Sequence, residues 1–259
     1  MNGAWHYTTY LDAVDHWQTL ITGVFALLSA AVAVLVTVRI ENWKSWKDEK
    51  DALLNEIRIV NKGIMLTFTV TNTLLAVKKQ FIKPMKLAFD EGKAKTAMAL
   101  DAAGKDGKQA IIEFHADFRT LPPLVLPLPI LQSMLFEKLS VGARPVALFT
   151  IVAETIDALN LTVTKRNQMV QTYKISQIPP EILIRIVYGF PIPPGHLDQE
   201  YSDTMHALYV QTDDIIFFSS QLAEDLCAYA EELLAKFKRK FGRDAPRVLK
   251  PDWSKAKDW

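Results

Sequence analysis

The stretch WQTLITGVFALLSAAVAVLVTV, Trp17 to Val38, decides how the chain is read. Its 22 residues carry no charge, and as a helix they cover roughly 33 Å, about the hydrocarbon thickness of a bilayer. Leu, Ile, Val, Phe and Ala fill it all the way round, without the one-sided stripe of a helix lying on a core. Aromatic residues mark both edges, Trp17 at one and Trp43 and Trp46 past the other, as interfacial side chains do. The expectation is a transmembrane helix over residues 17–40.

A cleaved export signal would open on basic residues and close on a small-residue cleavage site after a short apolar core. Met1–His16 holds no Lys or Arg and carries Asp12 and Asp15, so a retained anchor is the better reading. Arg39, Lys44, Lys47, Lys50 and Arg58 follow the span and no basic residue precedes it. The positive-inside rule then puts the N-terminus outside and the long C-terminal part in the cytoplasm. Within the span Gly23, Ala26, Ala30 and Ala33 recur at spacings of three and four. They form a small-residue face of the kind that lets two membrane helices approach closely. Ala is also simply common in such helices, and the two explanations weigh evenly.

The pattern WQTLITGVFALLSAAVAVLVTVRI resembles the N-terminal anchor of uncharacterised bacterial single-pass membrane proteins, particularly alphaproteobacterial ones. The resemblance covers residues 16–40. It implies a bacterial inner-membrane location and brings no activity and no functional residues.

The remainder reads as an all-α domain. Net charge of +1 gives no global attraction to nucleic acid, and 49% hydrophobic residues exclude a disordered chain. Cys227 is the one cysteine, which excludes an intrachain disulfide and a thiolate metal cage. Ten glycines in 259 residues argue against a sheet-rich fold with many tight turns. Leu54, Ile57, Ile64, Phe68 and Leu75 recur at helical spacings, with Asn61 interrupting them, and predict a long helix up to Pro84 with a bend near Gly63. The run TFTVTNT (Thr67–Thr73) favours strand by its β-branching and competes with that reading. Phe149, Val152, Ile156, Leu159, Val163, Val170 and Tyr173 form one seam, broken by Arg166. Tyr201, Met205, Leu208, Thr212, Ile215, Ser219, Leu222, Leu226, Tyr229 and Leu233 form another. Two such seams predict an antiparallel helix pair in a bundle. IPPEILIRIVYGFPIPPGH supplies a short helix between proline breaks. The expected division is an extracytoplasmic 1–16, the span 17–40, a helical domain 41–241 and a basic tail 242–259. An irregular, proline-rich connector is expected over about 89–129, either a strap across the bundle or a contact with a membrane or partner; the strap is favoured.

Candidate chemistry is sparse. His196, Asp203 and His206 are the best metal ligands the chain offers, since Asp203 and His206 stand one helical turn apart. Acids in the first turn of a helix account for the same residues more simply. EFHAD (Glu113, His115, Asp117) suggests acid–base work but also fits an exposed strand or loop. GKDGKQ (Gly104–Gln109) lacks the spacing and the Ser/Thr of a phosphate loop. Cys227, beside the seam residue Leu226, reads as a packing residue.

From Lys236 to Trp259 nine basic residues (Lys236, Lys238, Arg239, Lys240, Arg243, Arg247, Lys250, Lys255, Lys257) face three acids, with Trp253 and Trp259 among them. An anionic membrane surface and a solvated tail complementing the helix C-terminus explain this equally well, with nucleic acid behind both. The functional expectation is a membrane-anchored scaffold, assembly or signalling-adaptor subunit, non-enzymatic and without cofactor, whose partners are the bilayer and either a second copy or another membrane protein. A membrane-associated metal-dependent enzyme and a membrane-acting oligomeric defence effector are the alternatives.

Overall fold

The structure is a computed structural model and describes residues 4–106, 114, 116–242 and 245–250. Six α-helices carry it: α1 (Ala4–Val77), α2 (Lys83–Asp106), α3 (Leu128–Ser133), α4 (Ala143–Ile175), α5 (Pro180–Tyr188) and α6 (Glu200–Phe241). Among the described residues no strand forms, and the sole bridge pairs Ile192 with His196. The all-α expectation therefore holds. The chain divides into two compact units, Met1–Asn55 and Glu56–Trp259. Helix α1 contributes residues to both.

In the first unit, helix begins at Ala4 rather than near residue 17, because no Gly or Pro interrupts Ala4–Trp17. In the second unit, α6 runs through the middle. Its buried face includes Tyr201, Met205, Leu208, Thr212, Ile215, Ser219, Leu222, Leu226 and Leu233, as the spacing predicts. Helix α4 buries Phe149, Val152, Ile156, Leu159, Val163 and Val170 against it. Each such side chain withdrawn from water contributes about 2 kcal/mol. The pair is antiparallel: Arg144 near the start of α4 binds Asp225 at 3.1 Å and Gln221 at 3.1 Å, while Lys165 reaches Glu200 at 2.9 Å. The 56–77 stretch of α1 is antiparallel to α6 on another side. Glu56 accepts a hydrogen bond from Tyr229, Thr71 pairs with Ser219 at 2.7 Å, and Lys78 pairs with Asp213 while lying over the Tyr209 ring.

The long helical reading up to the proline holds across the β-branched run. The run Thr67–Thr73 is helix, because the hydroxyls of Thr67, Thr69, Thr71 and Thr73 each bond the carbonyl four residues back, at 2.8–3.1 Å. That satisfies the hydroxyls without leaving the helix, so β-branching loses to the packing of Ile64, Val70 and Leu74. The helical ladder continues through Gly63. It changes at Lys78–Ile82, a π-helical turn in which the Lys83 N–H reaches Lys78 O. Pro84 follows, and the wider turn accommodates its missing N–H.

The polar sequence after Phe89 is also helical as far as Asp106, and among the described residues irregular backbone is seen at Phe114 and from Ala116. Ala-rich composition favours helix there, and Lys86–Asp90 at 2.5 Å and Glu91–Lys95 at 2.7 Å add pairs at i,i+4. Gly92 within α2 has a packing reason. A Cβ at that position would lie 2.1 Å from the Tyr188 hydroxyl, so α5 approaches α2 only over a glycine. Gly189, at φ +69, closes α5, with Phe190 N–H bonded to Arg185 O at 2.8 Å.

What remains of the connector is the strap. Leu121 is buried, and Leu124, Leu126 and Leu128 pack against the core, while Pro122, Pro123 and Val125 stay outside. Its backbone finds no sheet to pair with. Side chains of α4 take the sheet's place. Asn167 accepts from Leu121 N–H at 3.0 Å and donates to Leu121 O at 2.7 Å. Asn160 does the same at Leu124, at 2.8 and 3.1 Å. Arg166, fully buried, donates to Arg119 O and to Asp117 O, each at 2.6 Å. Replacing either asparagine with alanine removes two hydrogen bonds to sheltered backbone. Asn160→Ala and Asn167→Ala are each expected to lower the Tm of the full chain, followed by circular dichroism, by roughly 2–8 °C. Arg166→Leu is expected to cost more than either.

Candidate functional site

The apolar span of α1 presents an unusual surface. Thirteen large apolar side chains between Trp17 and Ile40 are exposed, Leu27, Leu35 and Phe25 among them. None of its most apolar stretch is buried, and it is long and apolar enough to cross a membrane. Its polar groups turn inward on the helix itself: Thr22, Ser29 and Thr37 donate to Gln18 O, Phe25 O and Ala33 O at 2.7, 2.6 and 2.9 Å. A hydroxyl satisfied by its own helix asks nothing of its surroundings. Gly23, Ala26, Ala30 and Ala33 lie exposed along one side, and nothing stands within 4 Å of a Cβ placed on Gly23. Trp17 is exposed at one edge, and at the other Lys47 lies over the Trp43 ring at 5.7 Å and Lys50 over Trp46 at 5.4 Å. Helix α4 meets the same length and composition criterion, but its seam is buried against α6 and it carries Glu154, Asp157, Lys165 and Arg166.

The metal trio is not assembled. His196 sits in the turn before α6, fixed by backbone bonds to Ile192 at 2.7 and 3.0 Å. It shares an open cleft of about 690 Å³ with Asp198, Glu200, Asp203 and Lys165, whereas His206 is not part of that lining. Two of the acids are already engaged, Glu200 by Lys165 and Asp198 by the Glu200 N–H at 3.0 Å. Among the described residues no three His, Cys, Asp or Glu side chains gather to hold a metal ion. The first-turn acids Glu200 and Asp203 instead oppose the positive end of α6.

Of the EFHAD group, Glu113 and His115 lie outside the described residues. Asp117 is occupied by Arg119, at 2.6 Å, so it is not free to act as a base. The Arg119 hydrogen bond holds its carboxyl below the usual range, against the opposing effect of burial. In the GKDGKQ stretch, Gly104–Asp106 end α2 and Gly107–Gln109 lie outside the described residues. Above Asp117 an aromatic joint closes the bundle: Phe89 of α2, Tyr188 of α5, Tyr201 of α6, Tyr173 of α4, and Phe114 and Phe118 beside the strap. Phe89 and Tyr188 lie 5.4 Å apart, Tyr173 and Tyr201 5.8 Å. Burial raises the Tyr201 phenol above its ordinary value, with the charge of Arg166 and a hydrogen bond from it opposing. The space enclosed beside Met85, Phe89, Tyr188 and Tyr201 is about 10 Å³, too small for any ligand.

The start of the C-terminal tail is docked, which the sequence did not reveal. Asn61, the residue that interrupts the α1 series, donates to Arg247 O at 2.9 Å and accepts from Leu249 N–H at 3.0 Å. Lys250 pairs with Glu231 at 2.6 Å, and Cys227 lies against Leu249 O at 3.8 Å, its thiol raised by burial. Lys236, Lys238, Arg239, Lys240 and Arg247 are exposed, while Arg243, Trp253 and Trp259 lie outside the described residues. Asn61 and Arg166 stand out in the sequence only as breaks in their series, Asn160 and Asn167 not at all, and the backbone each one holds is not legible there. The chain matches no family model, no curated protein and no solved structure.

Two outcomes follow from this geometry. Asn61→Ala is expected to speed amide hydrogen exchange across residues 245–250 by roughly tenfold, read by mass spectrometry, the loss of about 1–2 kcal/mol of docking. Asp117 has a depressed carboxyl, so its stabilising contribution is complete above the ordinary Asp value of about 3.9 and disappears as pH falls through its own lower midpoint. A carbon-detected titration should find that midpoint below the ordinary value, and Arg119→Gln should move it upward.

Proposed function

We propose that the chain is a non-enzymatic, membrane-anchored helical scaffold or adaptor, held by one span in a bacterial inner membrane. Its N-terminus lies outside and its bundle in the cytoplasm. The observation that carries this reading is the apolar surface of α1 between Trp17 and Ile40. Thirteen exposed large apolar side chains would each cost about 2 kcal/mol to leave in water. That sum exceeds the roughly 5–15 kcal/mol stability of an ordinary domain. A bilayer removes the cost, and the inward-turned hydroxyls of Thr22, Ser29 and Thr37 suit it. The direction is supported by Arg39, Lys44, Lys47 and Lys50 on one flank alone.

The face of Gly23, Ala26, Ala30 and Ala33 gives the scaffold its association surface, either with a second copy or with another membrane protein. Close backbone approach is what small residues allow there. The full chain should stay with the membrane through alkaline carbonate washing, and a reporter fused after Phe241 should report the cytoplasmic side. In detergent the chain should measure as an oligomer or as a stoichiometric complex purified from native membranes. Gly23→Leu with Ala30→Leu should dissociate it. A wild-type chain that remained a lone monomer through both measurements would overturn the scaffold reading.

A further inference from the structure

The second unit leaves one edge of its central helix pair uncovered. Arg144 reaches Asp225 and Gln221, and Lys165 reaches Glu200, so these contacts mark the same side of α4 and α6 at both ends. Steps of three and four residues carry that side along α4 through Ala147, Ile151, Glu154, Ala158 and Leu161. The same steps carry it along α6 through Ala207, Val210, Asp214 and Phe217. The antiparallel register fixed by the two ends sets Ile151 level with Phe217, Glu154 with Asp214 and Leu161 with Ala207. Leu161 is 71% exposed, Phe217 58%, Val210 38% and Ile151 37%. Ala158 and Ala207 are half-buried and too short to fill the space between them. A shallow apolar groove therefore follows the joint of the two helices for about 32 Å, from Arg144 to Lys165. Its Lys165 end runs into the open cleft, which Thr162 and Ala207 also line.

The charge of this edge is one-sided. Between Arg144 and Lys165 α4 has no Lys or Arg, and α6 has none before Lys236. Glu154 and Asp214 stand midway along the groove, and among the described residues neither has an ion-pair partner. The two cations of the edge are at its ends and are already engaged.

We propose that the α4/α6 edge is a docking groove for an amphipathic helix of another protein, one with an apolar stripe and Lys or Arg beside it. The stripe covers Ile151, Leu161, Val210 and Phe217, and a basic residue midway along the helix meets Glu154 and Asp214. Apolar anchors three and four residues apart are how a helix lies in such a groove. The same edge of a second copy would bring Glu154 and Asp214 against their own equivalents, and like charges across an interface repel. The inference goes beyond the anchor, since every residue it uses lies in Glu56–Trp259.

The test uses the full chain, in a mild nonionic detergent, as bait for a displayed library of helices of about 20 residues randomised along one face. Helices that bind empty micelles are removed first. Selected faces should combine apolar residues with Lys or Arg, basic residues outnumbering acidic ones by about tenfold at the mid-helix positions. A chain with Glu154→Lys and Asp214→Lys should reverse that preference. Leu161→Ser with Phe217→Ser should weaken the best wild-type binder by roughly tenfold. All four positions are exposed, so the helical spectrum should stay unchanged in both variants. A selection that enriches no helix would overturn the proposal, as would a basic preference that survives the charge reversal. Full-chain oligomers lost on Phe217→Lys would put a second copy on the edge and overturn it as well.

Discussion

The bundle depends on how it disposes of backbone that belongs to no helix. The strap lies across the bundle with Leu121 buried and Pro122, Pro123 and Val125 exposed, and its half-sheltered peptide groups need partners that no helix ladder supplies. In a sheet protein a neighbouring strand would supply partners; here the side chains of one helix do it. Asn160 and Asn167 each present an amide that matches a residue's own N–H and C=O, a single rung of a ladder made from a side chain. Arg166 completes the series with two carbonyls, its charge dispersed over Arg119 O and Asp117 O and close to the Tyr201 phenol. A buried guanidinium is costly to desolvate, and leaving two buried carbonyls bare is costly too. Placing one against the other offsets both. With the strap fixed, Phe114 and Phe118 reach Tyr188, Tyr173 and Tyr201, and the ends of α2, α4, α5 and α6 close on one joint.

Much of this was legible in sequence, and what was missed has a common cause. The seams of α4 and α6 were readable because apolar burial on a helix imposes a period that neighbours along the chain already express. The short α5 was readable because Pro179, Pro180 and Gly189 act locally. The helicity of Phe89–Asp106 was hidden because a polar, glycine-containing helix shows no apolar stripe; its glycine answers to Tyr188, nearly a hundred residues away in sequence. Thr67–Thr73 was ambiguous for a related reason, since the hydroxyl back-bonds that reconcile threonine with helix leave no trace in spacing. Asn61 and Arg166 did register, as breaks in their series. What a sequence cannot name is the partner, because an amide that grips passing backbone looks the same as one that faces solvent. The candidate metal ligands illustrate the converse: Asp203 and His206 share α6, but among the described residues no third ligating side chain joins them.

The contrast between α1 and α4 isolates what a membrane reading rests on. Both helices are long and apolar enough by composition, yet α4 turns one face to α6 and keeps charged residues on the rest, whereas the span of α1 is apolar on every side and buries nothing there. An amphipathic helix is completed by a protein partner along one stripe. A uniformly apolar one needs an apolar surrounding on all sides.

The interior of the second unit is occupied by the work of closing itself. The gap beside Tyr188 and Tyr201 is about 10 Å³, the cleft before α6 is open with Glu200 held by Lys165 and Asp198 by backbone, and buried Arg166, Thr71, Ser219 and Lys78 hold other parts of the chain. The same amide device recurs at the far end, where Asn61 grips the tail as Asn160 and Asn167 grip the strap. In both places a segment that would otherwise wander is converted into fixed outer surface. At the strap that surface is apolar, with Val125 exposed between prolines; at the tail it is cationic. Rigidity so obtained matters for association, because a surface ordered before contact loses less entropy on contact than a loose one. The bundle thus presents both segments already ordered.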